Sequence, residues 1–455
     1  GSAWSQARHS DLGDNLPAVR RSPLPLPTEL TYTAPSFPTL DITGEWGFDE
    51  FMASLKAAKD GAPGPSRITN GLLRALPEPV LRAWWRILSR CIDLQDFPPS
   101  FRLGHIYAMP KPGHPSIQNC RPITLMECTL KVLTRSLNWR LMSGLLRNGV
   151  FSSFQSGFTP CKDGTDPVYI VKGTLEDARE RNLNLHLLLA DLEKAFDSVE
   201  SWSLEESYRW AGLSERTVRL LGALDGRGYA RVITPFGLTE LHAVLRGVRQ
   251  GEVLSPTKFI LWLEPWLRHA HVLYGHYGHA LREGARISHQ AMADDVALVS
   301  GSGLGMTTLA ASFGRFLVFH GVTISGSKSV YGSSDPLAAP IRLPIFKRSS
   351  TLTCADITTA VIRPSPPDAT MRYLGDQVCL TLRWAGANRA MAPVVQMDVG
   401  ALAKRKIELT DALAYYSAVT LGKGGYFFPL GRISPTQLQS WDSQLRRILT
   451  AKAGM

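Results

Sequence analysis

Aspartates stand at the ends of short apolar runs in two distant parts of this chain, and this feature constrains the fold more than any other. Leucines alternate with polar residues from Leu183, the run then becomes wholly apolar, and Asp191 closes it. Two further apolar runs flank Asp294 and Asp295, a pattern that predicts a hairpin with both acids at its tip. The sequence therefore predicts strands whose ends carry acids.

Three acids at strand ends have the chemistry of a site for a hard cation. Mg²⁺ is usually held by one or two carboxylates together with substrate phosphate oxygens. Two such ions about 3.5–4 Å apart can activate an attacking hydroxyl and stabilise a leaving pyrophosphate. Taken alone, Asp191 is more typical of a turn, because Asp is common at strand ends. The adjacent Asp294 and Asp295 are harder to explain as a turn, because two like charges repel unless a cation compensates them.

The charge balance indicates a polyanionic partner. The 455 residues include 50 Lys and Arg against 39 Asp and Glu, which gives a net charge of +11 and a pI near 9.4. Nucleic acid is the first class of partner that this balance indicates, and an anionic membrane surface is the second. The 44% hydrophobic content supports a sizeable core and excludes a disordered chain.

The sequence lacks the marks of secreted and membrane proteins. Its six cysteines form no C-x-x-C pair, which argues against a disulfide framework and a zinc knuckle. No run of about 18 uncharged apolar residues is present, and the N-terminus lacks the apolar core of a signal peptide. We therefore expect an intracellular protein of the nucleus or the cytoplasm, without membrane contact.

Hydrophobic periodicity predicts helices and strands along most of the chain. Residues 1–45 are rich in Pro and Ser and are predicted to be an extended arm without a catalytic role. Ser255 is predicted to cap a helix that has Pro256 at its first position. The stretch from Lys328 to about Asp368 is predicted to be irregular, the MRYLGDQVCLTLRW segment after it is predicted to form strands, and the tail from about Asn388 is predicted to be helical.

The motifs of this chain resemble those of reverse transcriptases, both in order and in spacing. The segments that match motifs A to E of that family are Asp191 to Asp197, Gly247 to Pro256, Ala293 to Asp295, Lys328, and Tyr373 to Gly375. The closest likeness is to the non-LTR (LINE-type) retrotransposon group, because upstream segments match it too. Those segments are Lys59 to Pro65, Pro110 to Gly113, Asn119 to Leu125, and Gln155 to Phe158.

The resemblance implies a metal site and a proton donor. Asp191, Asp294 and Asp295 would hold two Mg²⁺ ions, for which Mn²⁺ can substitute. The carbonyl oxygen of Leu192 would be an extra ligand. Lys328 matches a lysine that donates a proton to the leaving pyrophosphate. A solvated lysine is the alternative interpretation of Lys328.

The resemblance also implies a nucleotide site. Lys111 and Arg121 match residues that bind the triphosphate, where Arg offers bidentate hydrogen bonds and Lys a point charge. Phe196 matches an aromatic steric gate, whose ring clashes with a 2′-hydroxyl and so favours dNTPs. Gln250 would lie beside the incoming nucleotide. Without the resemblance, Lys111 and Arg121 read as surface cations and Phe196 as a core residue.

The implied architecture is an α+β chain with a right-hand polymerase fold, in which the palm is built on an antiparallel sheet and the fingers and thumb are helical. Tyr373, Leu374 and Gly375 would form the primer grip of this fold. The predicted divisions are residues 1–45 as an N-terminal extension, 46–185 as an N-terminal segment with the fingers, 186–375 as the palm with some fingers elements, and 376–455 as the thumb.

Some residues depart from the family pattern. Met292 precedes the Ala-Asp-Asp motif at a position where the family usually has an aromatic residue. Glu252, directly after Gln250 and Gly251, is an acid that the family rarely has there, and Ser325 replaces an Asn that is common ahead of Lys328. None of these changes removes a metal ligand. Arg249 is interpreted as a solvated charge.

Four neighbouring histidines invite a zinc interpretation, namely His269, His271, His276 and His279. They have no Cys or acid nearby in a recognisable ligand pattern. An exposed loop is therefore the favoured interpretation of this cluster.

Our leading hypothesis is an RNA-directed DNA polymerase that extends a DNA or RNA primer with dNTPs on an RNA template by two-metal-ion nucleotidyl transfer. The source would be a non-LTR retrotransposon or a domesticated relative. The alternative is a non-catalytic RNA-binding protein that keeps the polymerase scaffold, as a splicing or assembly factor might. The intact acids argue against that alternative. RNA synthesis by the same palm is disfavoured by Phe196.

Overall fold

The structure is a computed structural model of the whole chain. The residues that it describes are 35–111, 120–225, 228–244, 246–346, 357–381, 397, 400, 402–404, 408, 410–412 and 435–452. Three predicted parts of the chain lie outside the described residues. They are most of the N-terminal arm, Pro112 and Gly113 of the matched segment, and much of the helical tail.

Groups of helices and groups of strands follow one another along the described chain. In chain order, the helices are α1 (Phe48–Lys56), α2 (Asn70–Arg74), α3 (Glu78–Leu94), α4 (Cys128–Arg147), α5 (Thr165–Glu180), α6 (Ala195–Ser198), α7 (Ser201–Trp210), α8 (Glu215–Asp225), α9 (Ser255–Tyr274), α10 (Gly303–Phe319) and α11 (Pro435–Lys452). Short 3₁₀ turns cover Pro99–Arg102 and Gly275–Tyr277. The α+β class that the sequence predicts is therefore confirmed.

The strands form two larger sheets and three two-stranded ribbons. In chain order, the strands are β1 (Leu103–Pro110), β2 (Cys120–Leu125), β3 (His186–Ala190), β4 (Gly228–Thr234), β5 (Gly237–Leu238), β6 (His242–Val244), β7 (His279–Ala280), β8 (Arg286–Ile287), β9 (His289–Met292), β10 (Asp295–Ser300), β11 (Val330–Ser333), β12 (Ile341–Phe346), β13 (Ile357–Ile362), β14 (Pro364–Ser365), β15 (Met371–Tyr373) and β16 (Asp376–Val378).

The central sheet has the strand order β14-β11-β3-β10-β9. Its main strands pair antiparallel, and Ala190 at the end of β3 lies opposite Val296 near the start of β10. All of β3 is buried, because Leu188 joins the large core on one face while Leu187 and Leu189 pack with α5 on the other. The predicted leucine strand and the predicted acidic hairpin are both confirmed.

Helix α9 fills the centre of the large core. It is apolar around most of its circumference, with Phe259, Trp262 and Trp266 wholly buried, as expected for a helix enclosed by other elements. The predicted Ser255 cap is wrong by one position, because the helix begins at Ser255 after Leu254. The side chain of Glu252 lies just before this start, where its carboxylate accepts hydrogen bonds from Leu254 N and Ser255 Oγ, although no side chain caps the first turn.

A second sheet lies upstream, in the strand order β2-β1-β4-β5, and β6 also pairs with β4. β1 pairs antiparallel with β2 and parallel with β4. The Thr124 amide of β2 donates a hydrogen bond of 2.7 Å to the Gln250 carbonyl. This bond ties the second sheet to the loop before α9.

The irregular stretch predicted after Lys328 is a wrong prediction. It contains β11, β12 and β13, and the β12–β13 ribbon packs on α10. Ile341 and Leu343 are buried there. Pro344 misled the sequence reading, because proline is rare in central strands, yet a two-stranded ribbon tolerates it.

The part of the predicted arm that is described packs on the core. Leu40 forms a parallel bridge with Leu213, and Leu40 and Ile42 are both buried. No described helix has the length and apolar character needed to cross a membrane.

Candidate active site

The structure brings the three predicted acids together at one edge of the central sheet. Asp191 directly follows Ala190, and Asp295 directly precedes Val296, which is the partner of Ala190. Asp294 lies in the turn that joins β9 to β10. Acids far apart in the sequence therefore occupy the ends of two adjacent strands.

Burial and neighbouring negative charge disfavour the ionised forms of Asp294 and Asp295. Burial raises the pKa of Asp294, and the charge of Asp191 adds to that effect. Asp295 keeps an exposed face, yet the protein atoms around its carboxyl displace enough water to raise its pKa to about 6. The charges of Asp294 and Asp191 contribute to this second shift. A divalent cation would reverse both effects, because a nearby positive charge favours the ionised form.

Positive groups from two other elements reach this acidic edge. The charge of Lys111, one residue beyond β1, opposes the rise in the pKa of Asp294. The charge of Arg372 in β15 does the same for Asp295. Lys111 was predicted to belong to the site, whereas Arg372 was not, since an isolated Arg in a strand carries no sequence signal.

Lys328 lies on a segment that is hydrogen-bonded to the backbone of Asp191. The Ser325 amide donates to the Asp191 carbonyl at 2.8 Å, and the Asp191 amide donates to Ser329 Oγ at 3.0 Å. Lys328 stands in the exposed turn between these two serines. Leu192 is buried and forms an antiparallel bridge with Ile324.

Phe196 and Gln250 belong to two segments that are bonded to each other. The Val248 amide donates to the Phe196 carbonyl at 2.7 Å. The Phe196 ring is half-buried and stacks on Phe259, with ring centroids 4.3 Å apart. Gln250 is half-buried, and Gly251 after it has a φ of +110° and no room for a Cβ, which would lie 2.5 Å from the Thr124 carbonyl oxygen.

Arg121 stands on β2 opposite Met109 of β1, and its side chain is exposed. This places it one register step from the Pro110–Cys120 pair and close in the sheet to Lys111, whose side chain is also exposed. The two predicted triphosphate-binding cations therefore share one end of the second sheet.

The predicted primer grip is a tight hairpin. Tyr373 ends β15 and is buried against α5, while Leu374 and Gly375 form the turn with φ values of 50° and 88°. Two consecutive positive φ values are typical of the type I′ turns that join short antiparallel strands. Because Arg372 acts on Asp295, this hairpin lies beside the acids.

Comparison with known proteins decides the family. The family model described as "Reverse transcriptase (RNA-dependent DNA polymerase)" matches residues 109–378, which is more than half of the chain. The chain belongs to the reverse transcriptase family. The matched range begins in β1 and ends in β16, so it contains every residue of the acidic edge described above.

Several proteins similar to this chain are named for transposable elements. The chain is 28% identical over 210 residues to "Probable RNA-directed DNA polymerase from transposon X-element" of Drosophila melanogaster, which covers 46% of this chain and 23% of that protein. It is 31% identical over 255 residues to "Transposon TX1 uncharacterized 149 kDa protein" of Xenopus laevis, which covers 55% and 19%. The R2DM Pol polyprotein of Drosophila melanogaster is 26% identical over 290 residues, which covers 62% and 26%. The chain thus spans about a quarter or less of the length of these relatives.

Among solved structures, the chain matches one titled "Structure of apo telomerase from Candida Tropicalis truncated from C-terminal domain". The match has a TM-score of 0.42 and a sequence identity of 14%, and it covers 66% of this chain and 59% of the telomerase chain.

Sequence reasoning missed a buried charge network behind the loop that carries Gln250. Lys258 of α9 lies between Asp225, at 2.6 Å, and Glu252, at 3.4 Å, and all three side chains are almost inaccessible to solvent. Tyr208 Oη donates to Asp225 as well. Glu252, which departs from the family pattern, thus accepts hydrogen bonds at the start of α9 and pairs with Lys258.

Arg249 is not the solvated charge that the sequence suggested. Its guanidinium lies against Gly228, where a Cβ would come within 1.9 Å of it, and burial lowers its pKa. It lines a small cavity of about 20 Å³ together with Asp225, Glu252 and Lys258. The sequence signal for this burial is Gly228, which leaves room for the guanidinium. That signal cannot be recognised from the sequence alone, because it depends on Gly228 and Arg249 lying next to each other in the fold.

The predicted exposed loop of histidines is wrong for His269 and His279. His269 is buried in α9, and His279 is buried in β7, where its Nε2 lies 2.7 Å from Asp177 Oδ2. His271 and His276 are exposed, in α9 and in the following 3₁₀ turn. Across the described part of the chain, no group of three or more His, Cys, Asp or Glu side chains is arranged to hold a metal ion.

Proposed function

We propose that this chain is an RNA-directed DNA polymerase that extends a DNA or RNA primer with dNTPs on an RNA template. The observation that carries the proposal is the meeting of Asp191 with Asp294 and Asp295 at adjacent strand ends, where burial and mutual repulsion raise the pKa of the latter two. Membership of the reverse transcriptase family supports the reaction class.

We propose that Asp191, Asp294 and Asp295, with the Leu192 carbonyl, hold two Mg²⁺ ions. The donor types fit Mg²⁺, which prefers carboxylates and leaves positions for substrate phosphates, although among the described residues these three carboxylates are not already gathered into a metal-binding group. When bound, such ions make the primer 3′-hydroxyl a better nucleophile and neutralise charge on the leaving pyrophosphate. Mn²⁺ would substitute with the same oxygen ligands.

The remaining residues bind, orient and protonate. Lys111 and Arg121 are proposed to bind the triphosphate, because both are exposed cations at one end of the second sheet and the charge of Lys111 acts on Asp294. Lys328 is proposed to give a proton to the pyrophosphate that departs. Gln250 is proposed to contact the nucleotide from a loop whose glycine allows close backbone approach.

Phe196 is proposed to exclude a 2′-hydroxyl, and the Tyr373–Gly375 hairpin is proposed to hold the primer end. With these roles, residues 46–185 would supply the fingers, 186–375 the palm and 376–455 the thumb. The names of the relatives point to a transposable element as the source. A non-LTR retrotransposon or a domesticated descendant is the source that we propose.

The decisive test is nucleotide incorporation on a primed RNA template with Mg²⁺, with dNTPs and rNTPs compared. We expect the unmodified chain to incorporate dNTPs and Asp294→Asn to lose about 10³-fold in rate, since metal-bound charge stabilisation is worth several kcal/mol. Asp368→Asn, at an exposed position, is the matched control and should retain the full rate. Tight RNA binding without incorporation by the unmodified chain would favour the non-catalytic alternative.

A further inference from the structure

The segment before α5 lies directly against the hairpin that carries Asp294. The Ala291 amide of β9 donates to the Phe154 carbonyl at 2.8 Å, and the Ser156 amide donates to the Ala291 carbonyl at 2.9 Å. Gln155 between them forms a parallel bridge with Ala291. Two strand-like hydrogen bonds therefore fix this segment beside the last residues of β9.

The Gln155 side chain extends beyond this backbone pairing to the turn between β9 and β10, which carries Asp294. It is wholly buried, and its Oε1 accepts hydrogen bonds from the Gly157 amide at 2.7 Å and from the Ala293 amide at 3.0 Å. Ala293 immediately precedes Asp294 and has a φ of +56°. A residue with a Cβ is strained in that left-handed region unless its surroundings impose the conformation.

Gly157 allows the approach that this hydrogen bond needs. A Cβ on Gly157 would lie 2.4 Å from the Ala293 nitrogen, so only glycine fits between the segment and the turn. The segment itself is held by α9, because Glu264 Oε1 accepts a hydrogen bond from the Ser152 amide at 2.7 Å. Lys162 Nζ adds a bond to the Gln155 carbonyl at 2.8 Å.

We propose that Gln155 is a positioning residue for the metal site. Its amide oxygen fixes the Ala293 N–H and so imposes the left-handed backbone conformation that directs Asp294 toward Asp191. Gln155 would touch neither substrate nor metal. The link between Gln155 and catalysis rests on the proposed function, whereas the effect of Gln155 on the position of Asp294 does not.

Gln155→Met tests the proposal, because it keeps the length of the side chain and removes the acceptor. We expect Mn²⁺ binding, measured from the electron paramagnetic resonance signal of the free ion, to weaken about tenfold, as for other residues that orient a metal ligand. The rate of single-nucleotide incorporation should fall about 100-fold. The KM for primer–template should stay within about twofold of that of the unmodified chain, because no nucleic-acid contact is removed.

Gln290→Met is the matched control. Gln290 is buried in the same hairpin, and its Oε1 has no hydrogen-bond partner among the described residues. We expect it to leave Mn²⁺ binding unchanged. Equal Mn²⁺ binding by the two Met variants would overturn the proposal, since any loss of activity would then reflect general destabilisation.

Gly157→Ala perturbs the same turn from another residue and keeps the proposal testable if Gln155→Met does not fold. It should also weaken Mn²⁺ binding, whereas Gly173→Ala, in α5 with open space around it, should not. Ala293→Gly should restore part of the Mn²⁺ affinity to Gln155→Met, because glycine adopts a φ of +56° without strain. Mn²⁺ binding without dNTP incorporation by the unmodified chain would refute the proposed function and still test the role of Gln155.

Discussion

Phe196 shows how one residue can belong to the core and to a candidate site at the same time. Its ring stacks on Phe259 at an interplanar angle of 13°, and its carbonyl accepts the Val248 amide. The sequence left two interpretations open, a buried core residue and a steric gate. The structure places the residue at a half-buried position with its ring stacked on Phe259, which leaves both interpretations open.

Changing Phe196→Ala tests the gate. We expect the preference for dNTPs over rNTPs to fall by about tenfold or more, because the ring that would clash with the 2′-hydroxyl is gone. The measurement is the ratio of kcat/KM for dTTP and UTP on the same primed template. Phe196→Tyr keeps the ring and should keep the preference. An unchanged ratio in Phe196→Ala would assign the ring to packing alone.

Single residues also mark the limit of what this sequence could reveal. Asp191, Asp294 and Asp295 were found because acids interrupt apolar runs, a signal that is local in sequence. Gln155 was matched as part of a segment but received no role, because its partner, the Ala293 amide, lies 138 positions away. The sequence does not show which distant backbone amide a buried side-chain oxygen accepts a hydrogen bond from.

At the scale of elements, the β15–β16 hairpin depends on a charge pair with α5. Lys172 of α5 and Asp376 of β16 are in direct contact, and the side chains are 7% and 4% exposed. Burial lowers the pKa of Lys172, and the contact with Asp376 opposes that shift. The pair therefore fastens the proposed primer grip to a helix that packs under the central sheet.

Removing one partner of this pair should destabilise the protein and displace the hairpin. We expect Asp376→Asn to cost about 3–5 kcal/mol of unfolding free energy, because it removes the carboxylate that contacts the buried Lys172 charge. The KM for primer–template should rise as well. The double variant Lys172→Met/Asp376→Asn should be less destabilised than Asp376→Asn alone. Chemical denaturation and primer–template titration measure both effects.

Glu180→Gln is the control for this experiment. Glu180 forms an exposed ion pair with Arg282 at 3.6 Å, on the same helix as Lys172. Exposed pairs contribute little to stability, so this variant should behave like the unmodified chain. If Asp376→Asn were equally harmless, the buried pair would have no part in holding the hairpin.

Elements were predictable from the sequence where periodicity and turn chemistry agree. The leucine strand and the acidic hairpin both follow local patterns, and the structure contains both of them. The β12–β13 ribbon was missed because Pro344 and the short apolar runs around it look irregular without the partner strand. The stability of such a ribbon comes from packing on α10, which is a tertiary effect.

On the scale of the whole molecule, the acidic site stands within a basic chain. The net charge is +11, yet the acids gather at one sheet edge, with Lys111 and Arg372 close enough to act on them electrostatically. A basic chain with its acids gathered at one place suits a partner that is itself a polyanion. The excess of basic residues would attract the phosphate backbone, whereas the acids would contact phosphates only through bound cations.

Primer–template affinity should therefore depend steeply on salt. A protein that neutralises six to ten phosphates loses about 10³-fold or more in affinity between roughly 50 and 200 mM salt. We expect a plot of log Kd against log salt concentration with a slope of about 5 or steeper, measured by fluorescence anisotropy of a labelled primer–template. The dNTP concentration for half-maximal rate should change far less, because one triphosphate releases few counterions. A slope near 1 would mean that only the site itself contacts the nucleic acid and that the excess of basic residues serves another purpose.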